Sequence, residues 1–172
     1  MQTLLRTLLV TGLLAFPAWA DPKPPYSAPG IVLEGVGVYC QPGTSIREEA
    51  PGTTLGYIHR LSGTPQIAFQ QQEVPARLGL HFGVIVRPDR TIAGVRAETW
   101  KPGATKPEVW YADLDADVPR ARGFVFEFPD ELVTGIWRMD AFEGDTLLYS
   151  VEWEVVAASE LPGVTSDCTL LS

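Results

Sequence analysis

Three aspartates, Asp113, Asp115 and Asp117, alternate as D-x-D-x-D. Carboxylates at that spacing open calcium loops, which also need a glycine at the sixth position and a glutamate at the twelfth to close the coordination sphere. Those positions hold Val118 and Phe124. The expectation is an acidic surface turn, with calcium as the weaker reading; no other metal and no cofactor are expected. His59 and His81 are the two histidines. Metal-binding pairs usually stand close in sequence with carboxylates near them. These two are far apart, and although strands could bring them together, each is expected to be satisfied or exposed. A hydrolase would show a G-x-S-x-G elbow or H-E-x-x-H, and neither occurs. A triad can still be assembled from scattered residues. Gly35 to Val38, G-V-G-V, opens no helix and so builds no phosphate cradle.

A different chemistry is suggested around K-P-G-A-T-K-P. Trp100 and Trp110 flank this loop, Lys101 and Lys106 lie in it, and Tyr111 follows. Aromatic side chains beside a polar loop are enriched in recognition surfaces. The competing expectation is a rim that caps one end of the fold. The chain also holds two cysteines, Cys40 and Cys168. No C-x-x-C motif accompanies them, and one pair in an oxidising compartment is most simply a disulfide.

The compartment is read from the first twenty residues. Arg6 supplies a short positive region, Thr7 to Phe16 an apolar stretch, and Ala18-Trp19-Ala20 a small-x-small cleavage site. That order is a secretory signal peptide, and it predicts a periplasmic or secreted protein. The apolar stretch falls short of the ~20 residues that a membrane span requires, and no longer run follows. Removing the leader from 172 residues leaves 152, and losing Arg6 takes the formal net charge from −8 to −9. A balance so acidic argues against nucleic acid and anionic membrane surfaces.

The elements that must position these groups read as strands. Residues 21–30, D-P-K-P-P-Y-S-A-P-G, form a Pro-rich tether or edge segment ahead of one β domain over 31–172. Ile31 to Cys40 is apolar on both faces except Glu34, as in a central strand or in one with a bulge at Gly35 or Gly37. Thr54 to Leu61, Gln66 to Gln72, Leu80 to Val86, Thr91 to Trp100 and Val109 to Tyr111 follow. Phe124, Phe126 and Phe128 alternate with Val125 and Glu127, and this strand is expected to lead into the last hairpin as three consecutive antiparallel strands. In that hairpin, Trp137, Met139 and Ala141 share a face, then Leu147, Tyr149, Val151, Trp153 and Val155 do so beyond Glu143-Gly144-Asp145. Alternation on both sides of a Gly-containing turn is the hairpin signature. No window shows sustained helical periodicity. About eight to nine short strands indicate an all-β fold, an immunoglobulin-like antiparallel β-sandwich, with a small closed β-barrel as the alternative.

The run Gly135 to Val156, with G-x-W ahead of the turn and an alternating closing strand, looks like the last hairpin of exported immunoglobulin-like domains. Together with V-P-A-R-L-G-L-H-F-G (Val74 to Gly83) it resembles a bacterial exported family, domain of unknown function 3859, over about Ile31 to Val156. The resemblance implies the fold and the compartment and carries over no catalytic residue. The leading functional expectation is a non-catalytic envelope domain that binds a protein partner, its oligomeric state open. A lipocalin-like barrel holding a small apolar ligand comes second, and a hydrolase third.

Overall fold

The computed structural model describes residues 21–40 and 43–170; the expected signal peptide, residues 1–20, lies outside them. Eleven strands run in chain order among the described residues: β1 (Tyr26–Ser27), β2 (Ile31–Tyr39), β3 (Ser45–Glu49), β4 (Tyr57–Leu61), β5 (Glu73–Ala76), β6 (His81–Pro88), β7 (Ile92–Trp100), β8 (Glu108–Leu114), β9 (Arg120–Val125), β10 (Gly135–Glu143) and β11 (Thr146–Ala157). A helix, α1 (Pro162–Leu170), follows. The larger sheet has the order β1-β11-β10-β7-β8, with β5 added in parallel beside β11. The smaller sheet is β2-β6-β9, and β3 and β4 form a separate hairpin.

The two sheets pack as a β-sandwich with open edges at β8 and β9, not as the closed barrel of the alternative reading. Phe82, Phe126, Trp137 and Trp153 are completely buried between them. Their rings meet edge-on or tilted, Phe82 to Trp153 at 5.3 Å, Phe124 to Trp137 at 5.0 Å and Phe126 to Trp137 at 5.8 Å between centroids, the arrangements that aromatic quadrupoles favour. Among the described residues, aromatic side chains fill this interior.

The final hairpin follows the alternation in the sequence, with Trp137 opposite Trp153 and Met139 opposite Val151. A bulge near Ala141 and Phe142 shifts the register, so Leu148 and Tyr149 are both buried although adjacent. In β2 the register slips between Leu33 and Gly35, leaving Glu34 as the extra residue.

Four expectations are corrected. The Phe124 strand does not join the last hairpin: β9 pairs with β6 across the sandwich, and only Phe124 of its three phenylalanines is in the strand. Gln66 to Gln72 forms no paired strand: it makes one isolated bridge, Phe69 to Val38, where Gly37 lets the loop backbone come close, and its Gln72 carbonyl accepts from Glu154 N–H at 2.9 Å. The strand foreseen from Thr54 begins only at Tyr57, since Pro51 and Gly52 start a turn that ends at Gly56 with φ +75°. The fourth is α1, where strands were foreseen throughout. Pro162 opens it, and Val164 and Cys168, one turn apart, are both buried against the sandwich. Proline at a first helical position and apolar residues at i and i+4 are its sequence marks.

One row of residues crosses the smaller sheet without side chains. Gly37 pairs with Gly83, and Gly83 with Gly123. A β-carbon at Gly37 would overlap the carbonyl of Phe69. At Gly83 and Gly123 it would crowd the hydroxyl of Tyr39, which lies along the row and donates to the Arg122 carbonyl at 3.2 Å. The trough seats one loop and one buried tyrosine on an otherwise ordinary pleated face.

Candidate functional site

The β3–β4 hairpin stands beside the open edges of the sandwich, where β8 and β9 lack further strand partners. Its approach is anchored at both ends. Val109 N–H donates to the Gly52 carbonyl at 2.9 Å, and Thr64 Oγ1 donates to the Pro119 carbonyl at 2.8 Å. A cleft of about 320 Å³ lies between β4, β8 and β9, with Tyr39 and His81 also in its wall. Strand alternation decides which β8 side chains reach it: Trp110 and Ala112 line the cleft, whereas Tyr111 is exposed.

One end of the cleft is a polar cluster. Glu127 accepts from the Tyr57 hydroxyl at 3.1 Å and pairs with Arg47 at 3.7 Å. His59 Nε2 lies 3.1 Å from Glu127 Oε1 but out of hydrogen-bond alignment, and its Nδ1 lies 3.2 Å from Ser45 Oγ. Serine, imidazole and carboxylate in that order outline a proton relay. Here Ser45 is exposed on an edge strand, and the Glu127 charge is already shared with Arg47 and Tyr57. Burial raises the Tyr57 phenol pKa, and the bond to Glu127 adds to it.

His81, half-buried beside this cluster, has its pKa lowered to about 4, first by burial and then by neighbouring His59, with Glu127 opposing. The unfolded chain therefore takes up a proton near the ordinary value of 6.5 that native His81 refuses. Stability present at neutral pH is lost as pH falls through this window, by about 3 kcal/mol at its lower end. In urea unfolding from pH 7 to 4, His81→Gln should remove that slope. An unchanged slope in the variant would assign it to other groups.

The other end is cationic. Arg122 donates from Nη1 to the Ala121 carbonyl at 2.9 Å and from Nη2 to the Asp113 carbonyl at 3.0 Å. Its guanidinium lies 5.5 Å from the centroid of the Trp110 ring, within cation–π range. Burial lowers its pKa, and nearby Arg120 and Arg60 push the same way.

The residues singled out in the sequence divide between surfaces. Trp100 lies on the outward face of the larger sheet, where Arg138 stacks on it at 5.1 Å, and Tyr111 is exposed. Lys101 turns inward, 2.7 Å from Glu108 and 5.1 Å from the Phe124 ring. Lys106 is exposed in the turn, and Trp110 lines the cleft. The three aspartates take separate partners: Asp113 accepts from Gly94 N–H at 2.8 Å, Asp115 pairs with Arg120 at 3.0 Å, and Asp117 with Arg87 at 3.7 Å. No three His, Cys, Asp or Glu side chains among the described residues gather as a metal site would require. Cys40 and Cys168 form a disulfide, their Cα atoms 4.7 Å apart. Arg122, Glu127 and Tyr57 were not foreseen, since no spacing marks residues that meet only through the placement of a separate hairpin.

No helix among the described residues is long and apolar enough to cross a membrane. None of the curated proteins matches the sequence. Among solved structures, an immunoglobulin-like protein from Pseudomonas aeruginosa is similar at 20% identity and a TM-score of 0.47, over 80% of this chain and 100% of that one. The family model described as Domain of unknown function (DUF3859) matches residues 31–155, every strand from β2 to β10 and most of β11, and the chain belongs to that family.

Proposed function

We propose that this protein is an exported, non-catalytic binding domain that takes a small molecule into the cleft between β4, β8 and β9. The cleft itself carries the reading. At about 320 Å³ it lies at the lower end of the ~300–1,000 Å³ usual for ligand sites. Its wall combines apolar Leu55, Ile58, Ala112 and Phe124 with many polar and charged side chains, among them Tyr57, His59, Glu127 and Arg122, a more polar lining than most small-molecule sites have. Export is supported by the leader-like first twenty residues and by the disulfide, a bond that persists in oxidising compartments. The protein partner expected from the sequence is replaced in this reading by a ligand of cleft size. The exposed Ser45 and the shared charge of Glu127 favour binding over hydrolysis.

Ligand-observed NMR against a fragment library tests the proposal. Fragments that bind should be lost from Ala112→Phe, which fills the cleft from β8, while the variant keeps its circular dichroism spectrum. Fragments that bind equally well to the filled variant would place recognition elsewhere.

A further inference from the structure

We infer that the cleft selects organic anions, with an acid group seated on Arg122 and a compact apolar body against Ile58, Ala112 and Phe124. This rests on the cleft being a ligand site, and it names the ligand's chemistry.

The argument is one of charge matching along the wall. Five carboxylates line the cleft, and each has a partner. Glu108 is engaged by Lys101 at 2.7 Å and by Thr54. Asp113 accepts from Gly94, and Asp115 pairs with Arg120. Glu127 is shared by His59, Tyr57 and Arg47. Glu131 is buried and accepts from the Glu127 and Phe128 amides at 2.6 and 3.0 Å. The cations are matched as well, with one exception. Arg60 pairs with Glu48 at 2.7 Å and Arg120 with Asp115 at 3.0 Å. Arg122, among the described residues, meets no carboxylate and is held by two carbonyls and an indole.

A guanidinium carries five N–H donors in a rigid fork, and two are spent on the carbonyls. The indole and the carbonyls fix its plane without neutralising it. A cation drawn away from water without an anion is costly, and an anion entering the cleft would remove that cost. Arg60 and Arg120 flank it and add attraction over longer range. The carboxylates beside it cannot fill the role without giving up the partners they have. Ile58, Ala112 and Phe124 give the wall an apolar part, so the ligand that uses both parts has an acid head and a short hydrocarbon body.

Calorimetric or NMR titration with hexanoate, 1-hexanol and inorganic phosphate tests this. Wild-type protein should bind hexanoate at least tenfold more tightly than either 1-hexanol or phosphate. Arg122→Gln should reduce that preference to within about twofold while leaving 1-hexanol binding unchanged, and Arg90→Gln, at a guanidinium that pairs with Glu143 away from the cleft, should leave the preference intact. The wild-type comparison decides the matter even if an Arg122 variant does not fold. Equal binding of hexanoate and 1-hexanol, both lost in Ala112→Phe, would overturn the anion assignment and leave the cleft reading standing. Phosphate binding as tight as hexanoate would overturn the apolar body. Titrations unaffected by Ala112→Phe, or no binding of any of the three, would overturn the inference; in the first case the cleft reading falls too.

Discussion

Replacing Cys40 and Cys168 together by alanine is expected to destabilise the protein by about 3–5 kcal/mol, the largest effect of any conservative change considered. The two residues are 128 positions apart, so the cross-link closes a loop that takes in nearly every strand. Chain-entropy arithmetic for such a loop gives about 5 kcal/mol as an upper figure. The native state also loses an attachment. Cys168 is buried on the same side of α1 as Val164, and Arg77 Nη1 donates to the Thr165 carbonyl at 2.6 Å. With the bond removed, the helix keeps such contacts but loses its covalent tie to the end of β2. Urea unfolding of the double variant, compared with the oxidised protein at one pH, measures the difference. A loss below about 1 kcal/mol would mean that the cross-link does little to restrict the unfolded chain.

Gly37→Val should cost about 4 kcal/mol, summing overpacking and the loss of buried backbone hydrogen bonds. Gly37 is buried on β2, and a side chain there meets a carbonyl of the main chain, which cannot rotate aside as a flexible side chain could. Moving Phe69 away would break its bond from Val38 N–H at 3.0 Å and strain the 2.8 Å bond from Ala68 N–H to the Val38 carbonyl. Gly63 is the internal comparison. A β-carbon there meets nothing within 4 Å, so Gly63→Val should stay within about 0.5 kcal/mol of wild type. Equal losses in the two variants would show that the close approach of the loop to β2 is not what demands glycine.

How far the fold could be read depended on whether a pattern was local. The β10–β11 hairpin was legible because Trp137, Met139, Val151 and Trp153 alternate on one face and Gly144 turns the chain with φ +57°. β1 and β5, two and four residues long, are too short for any alternation to register, and both owe their pairing to β11. β9 read as a strand, but its partner was misjudged. Proximity in sequence favoured β10, whereas the glycine pair Gly83 and Gly123 fits β9 to β6. The cleft was the least legible part. His59 and His81 are close enough to influence each other, yet only a hairpin standing apart from both sheets brings them together. Nothing local in the sequence marks Arg122, whose Asp113 carbonyl and Trp110 partners come from the separate strand β8.

The position of β11 also governs the order in which the protein can be assembled. It pairs with β10 on one side and with both β1 and β5 on the other, so one late strand is the spine of the larger sheet. The β3–β4 and β7–β8 hairpins can close as soon as they emerge. Tyr26, by contrast, must wait for Ser150, and Glu73 for Glu154. Non-local pairings of this kind form slowly, since the loop entropy is spent before the contacts are gained. Until β11 arrives, the apolar face of β10 and the unpaired edges of β1 and β5 are open to other chains. The larger sheet is thus completed in one late step, and a chain kept extended until β11 is available would forgo only its local hairpins.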